Sequence, residues 1–325
     1  MKLSRYRGSW FVVRGSWFVV RGSWFVARGS WFVVAAMCLI GCGRPKVERI
    51  AWPVMGTVAA VQTRGTSASS SSRAAADLAK KVFADVERKL NAHNPDSELS
   101  RLAPLDERDI LAKCDKEPTS LPYIEVKPCY EAAFKLMKAS GGAFNPRWRG
   151  PKTLDLGAIA KGFSVDVAAR AVYVDGADAL LDLGGNLKAV RGEGGSHKPW
   201  KTGVKNPSGD GFAATVELNE GEALATSATY FRGTHIYDGR TGSPVTNGVA
   251  SVTVLCRSAM WADGLSTTLF VLGPDEGRVF LDKHLAELMG ERKVEVLWIL
   301  SDGRRLTYPS SGRHATASSC RWSPP

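Results

Sequence analysis

Between residues 74 and 90, Leu78, Val82, Phe83, Val86 and Leu90 recur at helical spacing with Lys and Asp between them, which predicts an amphipathic helix. The same periodicity predicts a second helix over 128–140, ended by Gly141-Gly142. Residues 54–62 read as a strand broken by Gly56, and the Ser-, Gly- and Thr-rich run 63–73 reads as a loop. Asn94-Pro95-Asp96 is turn chemistry inside 91–98. Thr153-Leu154-Asp155-Leu156 is expected to be a strand that turns at Gly157 and becomes a helix running to Arg170. Further strands are expected at 179–183, 201–205, 213–218, 249–256 and 294–300, and helices at 263–272 and 274–289. That order describes a mixture of helices and strands without an internal repeat over residues 43–325.

Upstream the pattern changes. Residues 7–34 repeat Arg-Gly-Ser-Trp-Phe-Val-Val four times, with Ala27 as the one departure. A seven-residue period prompts a coiled-coil reading, but each unit holds Gly, Trp and β-formers and neither Leu nor Glu, so the segment is set apart from the fold. After it an apolar stretch leads into Leu39-Ile40-Gly41-Cys42. Basic residues, an apolar run and a small residue before Cys form the pattern of a bacterial lipoprotein signal. Residues 1–42 are therefore expected to be a signal peptide with lipid attachment at Cys42, and a short membrane anchor is the alternative. Either places the remainder outside the cytoplasm, lipid-anchored at the bacterial cell envelope and facing the periplasm or the exterior. Residues 43–51 are expected to be a tether, 52–310 the folded domain and 311–325 a polar tail.

Length and composition fit this division. The chain has 325 residues, 44% hydrophobic and 23% charged, enough to bury a core without metal or disulfide staples. Its net charge is +11, but six of its basic residues lie in 1–42 with no acid, leaving +5 for the rest. A charge of that size is a solubility feature, and no basic run interleaved with aromatics follows residue 45, so no nucleic-acid partner is expected. Six cysteines are present. Cys38 leaves with the signal and Cys42 takes the lipid. The other four are spaced too widely for a zinc ribbon, while Cys114 and Cys129 are placed to pair in an oxidising compartment.

Four stretches carry polar residues that packing alone does not ask for. Leu154-Asp155-Leu156-Gly157-Ala158-Ile159-Ala160-Lys161-Gly162 combines a small-residue turn with a helix start. Free N–H groups there face a phosphate readily, with Lys161 as a point charge; the alternative is a solvated Lys in an ordinary turn. Leu181-Asp182-Leu183-Gly184-Gly185-Asn186 is a strand end whose Gly pair permits close approach, or a plain tight turn. His235-Ile236-Tyr237-Asp238-Gly239-Arg240-Thr241-Gly242 places His, Asp, Arg and Thr in one loop, suited to phosphate or ribose contacts, although a lone His is more often structural. In Ala262-Asp263-Gly264-Leu265-Ser266-Thr267-Thr268, Asp263 and Thr267 share one helix face. These hard oxygen donors suit Mg²⁺ better than Zn²⁺; a helix-capping Asp is the bland alternative.

Taken in order, these stretches resemble the flavin transferase (ApbE) family, whose members carry D-L-x-G-I-A-K-G, G-G-D, H-I-I-D-P-x-T-G and A-D-A-L-S-T motifs. Met55-Gly56-Thr57, Asp96-Ser97-Glu98-Leu99-Ser100-Arg101 and Gly142-Ala143-Phe144-Asn145-Pro146 extend the resemblance across most of 55–310. It implies a single compact α+β, T-fold-related body with mixed sheets and packed helices. It also implies Mg²⁺-dependent transfer of FMN from FAD to a Ser or Thr hydroxyl of an exported acceptor flavoprotein, with release of AMP. The implied metal ligands are the Ala158 carbonyl, Asp263 and Thr267. The implied FAD contacts are Met55, His93, Ala143, Phe144, Asn145, Asp155, Lys161, His235 and Ile236, with Lys161 and His235 in catalytic roles. The chain departs from the family pattern at His93, where members often have Tyr, and at Asn145, Ala228 and Gly239. The span from Asn145 to Asp155 is also short. Two other outcomes are compatible with these residues: Mg²⁺-dependent FAD hydrolysis to FMN and AMP, and a lipid-anchored flavin binder without turnover.

Overall fold

A computed structural model describes residues 47–65, 68–114, 124–172, 177–192, 195–196, 198–229, 236–290, 293–309 and 321–323. The expected signal peptide, Cys42 and His235 lie outside them.

β1 (Val47–Val54) and β2 (Thr57–Gly65) form a hairpin, and α1 (Ala68–Leu90), α2 (Glu98–Leu102), α3 (Glu107–Lys113), α4 (Lys127–Ala139) and α5 (Ala160–Ala171) follow. Then come β3 (Ala177–Leu183), β4 (Asn186–Val190), β5 (Trp200–Lys205), β6 (Phe212–Leu218), β7 (Ala223–Ala228), β8 (Tyr237–Asp238), β9 (Ser243–Pro244) and β10 (Val249–Cys256). α6 (Ala259–Met289), β11 (Glu295–Leu300) and β12 (Arg305–Tyr308) complete the body. The main sheet has eight strands in the order β1-β2-β3-β4-β7-β10-β11-β12, and each adjacent pair is antiparallel. β5–β6 and β8–β9 form two small ribbons.

The sheet is covered unequally. α1, α5 and α6 pack on one face, where Val61, Phe83, Leu181, Phe163, Val252 and Leu265 meet in the main core. On the other face Leu180, Leu187, Leu224 and Leu255 pack beneath Trp200, Val216 and Leu218 of the β5–β6 ribbon. Helices segregated to one face of an antiparallel sheet make this an α+β fold, as expected from the sequence.

Several local expectations are corrected. Residues 47–51, read as a tether, are most of β1, an edge strand with alternate residues half-buried. The break at Gly56 is a hairpin turn: Met55 and Gly56 both have positive φ, 50° and 65°, the two-residue form that matches strand twist. The supposed loop 63–73 is the end of β2 and the first turns of α1. Residues 153–156 are not a strand, because the Asp155 N–H donates to the Pro146 carbonyl at 2.8 Å and its carboxylate caps the Gly157 N–H at 2.9 Å. The polar tail returns to the body at residues 321–323: Ser323 pairs with Thr215 and Trp322 packs on the second core. Cys114 and Cys129 are both buried and are not joined to each other by a disulfide. The two helices expected at 263–272 and 274–289 are the halves of α6, kinked at Gly273 (φ 73°) before Pro274.

Candidate active site at the α5–α6 contact

Gly162 is where the two helices touch. A Cβ there would lie 2.1 Å from the Ala259 carbonyl oxygen and 2.7 Å from the Asp263 Cβ, so only glycine permits this approach. Gly162 is the third residue of α5, after the N-cap Ile159, so its N–H is one of the first-turn donors that no helix carbonyl serves. Here it donates to Asp263 Oδ2 at 2.9 Å, and the Ala158 carbonyl has no backbone donor among the described residues.

Asp263 is 5% exposed. Its recorded partners are the Gly162 N–H and, at 4.0 Å, the Lys161 ammonium. Lys161 Nζ also donates to the Gly157 carbonyl at 2.8 Å. One turn along α6, the Thr267 hydroxyl lies 3.0 Å from Ser227 Oγ, which in turn meets Ser266 Oγ at 2.8 Å. Among the described residues no three His, Cys, Asp or Glu side chains converge. A cation here would thus rest on one carboxylate with hydroxyl and carbonyl oxygens, a set that fits Mg²⁺. A carboxylate this buried with so few donors is itself costly without a positive partner, and the Ala158 carbonyl, just before the α5 N-cap Ile159, would be a further hard ligand. Cys129 lies close enough to feel Asp263; burial first, then that carboxylate, pushes its thiol far above the ordinary range.

The other sequence motifs come together in pairs. The Gly142–Pro146 turn is joined to the β8–β9 ribbon: the Gly239 N–H donates to the Ala143 carbonyl at 3.1 Å, and Asn145 Nδ2 donates to the Gly239 carbonyl at 3.2 Å. A Cβ on Gly239 would lie 2.3 Å from the Asn145 Cβ, so a Pro at this position would not fit this packing. Ala143 and Phe144 are buried, and the Phe144 N–H donates to Ser140 Oγ. Met55 reaches α5, its sulfur 3.6 Å from Ser164 Oγ. Gly184 packs on Thr57, where a Cβ would come within 2.6 Å. Burial raises the Asp182 carboxyl despite its bond from the Gly185 N–H and the charge of Arg49. Asp155 is half-buried, 3.7 Å from Arg149, and Ile236 is buried with its carbonyl bonded to Val245.

Ala143, Phe144, Asn145, Ile236 and His93 are not joined to Asp263, Lys161 or Thr267 by any hydrogen bond or ion pair among the described residues. His93 is exposed, and its N–H donates to its neighbour Asn91. His235 cannot be placed among the described residues.

Other features were not foreseen. Trp148 stacks on Tyr237 with ring centroids 4.3 Å apart, and Arg149 lies over Trp148, so the short span after Asn145 is closed by an aromatic pair. Ser227 was unmarked because a small polar residue in a short strand carries no periodic signal. Two clefts open away from Asp263, one of about 240 Å³ beside Asp178 and Trp200, the other of about 490 Å³ beside Arg240, Phe280 and His284. Neither is lined by Lys161, Asp263 or Thr267. The buried carboxylate at the start of α5, rather than cleft size, therefore marks the site.

Residues 149–289 match the model of the ApbE family. Among curated relatives, an FAD:protein FMN transferase of Klebsiella pneumoniae is 28% identical over 204 residues, covering 58% of this chain and 56% of the relative. Those of Vibrio cholerae and Haemophilus influenzae are 37% and 36% identical, covering 38% and 40% of this chain and 40% and 41% of the relatives. The chain thus spans about half the length of the curated relatives it matches. The solved flavin transferase ApbE from Vibrio cholerae has a TM-score of 0.61 at 24% identity, covering 82% of this chain and 98% of that one. The apo flavinyl transferase ApbE of Pseudomonas stutzeri gives 0.59 at 24% identity over 82% and 96%. These solved structures share the fold described above.

Proposed function

We propose, for a chain that matches the ApbE family over residues 149–289 and has that fold, that it transfers FMN from FAD to a hydroxyl of an acceptor protein. The observation that carries the reading is the buried Asp263 carboxylate at the start of α5, where it accepts from the Gly162 N–H with the Lys161 ammonium 4.0 Å away. Asp263, Thr267 and the Ala158 carbonyl would hold Mg²⁺. When bound, that ion neutralises charge on the pyrophosphate of FAD. Lys161, with its ammonium 4.0 Å from Asp263, binds the same phosphates as a second positive charge. The Gly142–Asn145 turn and Ile236 form the wall for the flavin nucleotide, and Met55 of the β1–β2 turn, its sulfur against Ser164 of α5, contributes a further contact.

The acceptor's Ser or Thr oxygen attacks the FMN phosphorus, the bond from that phosphorus to the bridging oxygen breaks, and AMP leaves with the electron pair. His235 takes the hydroxyl proton in this scheme. Lipid attachment at Cys42 and a position at the cell envelope belong to the same proposal. Their support is the apolar run ending in Leu39-Ile40-Gly41-Cys42.

The test is a mass spectrum of an exported flavoprotein incubated with the purified chain, FAD and Mg²⁺. An acceptor peptide gaining the mass of FMN only when Mg²⁺ is present supports transfer. AMP accumulating without an adduct makes the protein an FAD pyrophosphatase. Neither product with two different acceptors leaves a flavin binder.

A further inference from the structure

We infer that Asp166 is a positioning residue that fixes the start of α6 so that Asp263 and Thr267 can hold a divalent cation. The inference rests on the metal-site reading above and extends it to a residue in the middle of α5.

Asp166 is 8% exposed. Each of its carboxylate oxygens accepts two hydrogen bonds. Oδ1 accepts from Lys188 Nζ at 2.8 Å and from the Ala259 N–H at 3.0 Å. Oδ2 accepts from Ser258 Oγ at 2.6 Å and from the Met260 N–H at 3.0 Å. Ser258 is the N-cap of α6, and its hydroxyl oxygen also accepts from the Trp261 N–H at 3.2 Å. Asp166 thus satisfies two of the orphan N–H groups at the head of α6 and orients the hydroxyl that satisfies a third.

The arrangement is reciprocal. Gly162 and Asp166 lie four apart on α5, and Ala259 and Asp263 lie four apart on α6, so each pair shares one face. A backbone N–H of α5 (Gly162) binds the carboxylate of α6 (Asp263), while a backbone N–H of α6 (Ala259) binds the carboxylate of α5 (Asp166). The two helices are tied at two points one turn apart. The first tie contains the proposed metal ligand; the second sets where that ligand stands. Lys188 reaches in from β4 to balance the Asp166 charge and also donates to the Arg257 carbonyl at 2.6 Å, so the sheet holds the residue just before the α6 cap. A carboxylate whose four acceptor positions are all used inside the protein is not itself available to a ligand, which is why we assign it to positioning.

The test reads metal binding directly, without turnover. Wild type and variants are titrated with Mn²⁺, with and without FAD, following the free-ion paramagnetic resonance signal. Asp166→Ala is expected to weaken Mn²⁺ about 10- to 100-fold, the usual cost of losing a group that orients a metal ligand. Ser258→Ala, which removes one of the four bonds, is expected to weaken it a few-fold. Arg321→Ala is the stability control: it breaks an ion pair with Glu222 far along the chain and should lower the melting temperature with Mn²⁺ affinity unchanged. Asp166→Ala binding Mn²⁺ within twofold of wild type overturns the inference, whatever its melting temperature. Should Asp166→Ala fail to fold, unchanged affinity in both Ser258→Ala and Asp166→Asn overturns it equally. Wild type that binds no Mn²⁺ sinks the metal-site reading and this inference together, whereas normal wild-type binding with unaltered variants sinks the Asp166 role alone.

Discussion

Gly162→Ala is the smallest change that reaches the helix contact, and its sign is not obvious. Alanine is favoured over glycine inside a helix by about 1 kcal/mol. Against that, the new methyl would stand 2.1 Å from the Ala259 carbonyl oxygen, where contacts under 3.0 Å essentially never occur. The obstacle is backbone, so no side chain can swing away. The helices must part by about 0.9 Å, the gap between those two distances. That shift would stretch the Gly162–Asp263 and Ala259–Asp166 bonds, now 2.9 and 3.0 Å, beyond hydrogen-bond range. Overpacking costs about 1–3 kcal/mol, and hydrogen bonds to charged groups contribute about 1.5–3 kcal/mol each. Even with partial relaxation the loss exceeds the helix-propensity gain, and a net destabilisation of about 2–4 kcal/mol is expected. For a body of this size that corresponds to a melting temperature lower by roughly 4–15 °C, measured by scanning calorimetry without added metal or flavin. A melting temperature equal to or above wild type would refute the reasoning, because it would mean that the helices are not as close as Gly162 requires.

Two further outcomes follow from the site and its surroundings. Lys161→Ala should weaken FAD binding about 10- to 100-fold, in line with a lost charge-assisted bond; unchanged affinity by isothermal titration would show this Lys to be merely solvated. The Arg321–Glu222 pair should make stability pH-dependent. Burial pushes Glu222 up, but Arg321 at 2.6 Å and the Asn219 N–H at 2.8 Å outweigh it and hold the carboxyl below its ordinary range. Stability from such a depressed group is present above the unfolded value, about pH 4, and is lost as pH falls through the folded value. Arg321→Ala should therefore cost about 1 kcal/mol at pH 7 and much less at pH 3, read from urea midpoints; equal losses at the two pH values would remove the pair from the account.

The parts legible in the sequence were those with a period or a fixed spacing. Helix α1 announced its buried stripe, and the four-residue interval from Asp263 to Thr267 placed both on one face of α6. Elements without such a signal were missed. β7 is Ala-Leu-Ala-Thr-Ser-Ala, poor in β-formers, and is a strand because β4 and β10 flank it in the sheet. Charged Glu48 and Arg49 made β1 look like a tether, but alternation on an edge strand needs only one sheltered face. Conversely, Leu-Asp-Leu over 154–156 mimicked a strand, although Asp155 spends its hydrogen bonds on the turn around it. Asp166 did leave a trace: a carboxylate on a helix face shared with Gly162 and Phe163 is out of place unless something donates to it. What donates could not be read, because Ser258, Ala259 and Met260 are more than ninety positions away.

Those separations carry a consequence for how the protein would report its ligands. The bonds Gly162–Asp263, Ala259–Asp166 and Asn145–Gly239 join residues 101, 93 and 94 positions apart. Opening the first two locally would require the α5 and α6 helices to separate, and both belong to the main core. Binding of the proposed cation would therefore be linked to the unfolding of the whole body rather than to the fraying of a loop. A ligand at about 100 times its dissociation constant should raise global stability by about 2.7 kcal/mol, with hydrogen exchange slowing across the sheet and not only beside Asp263.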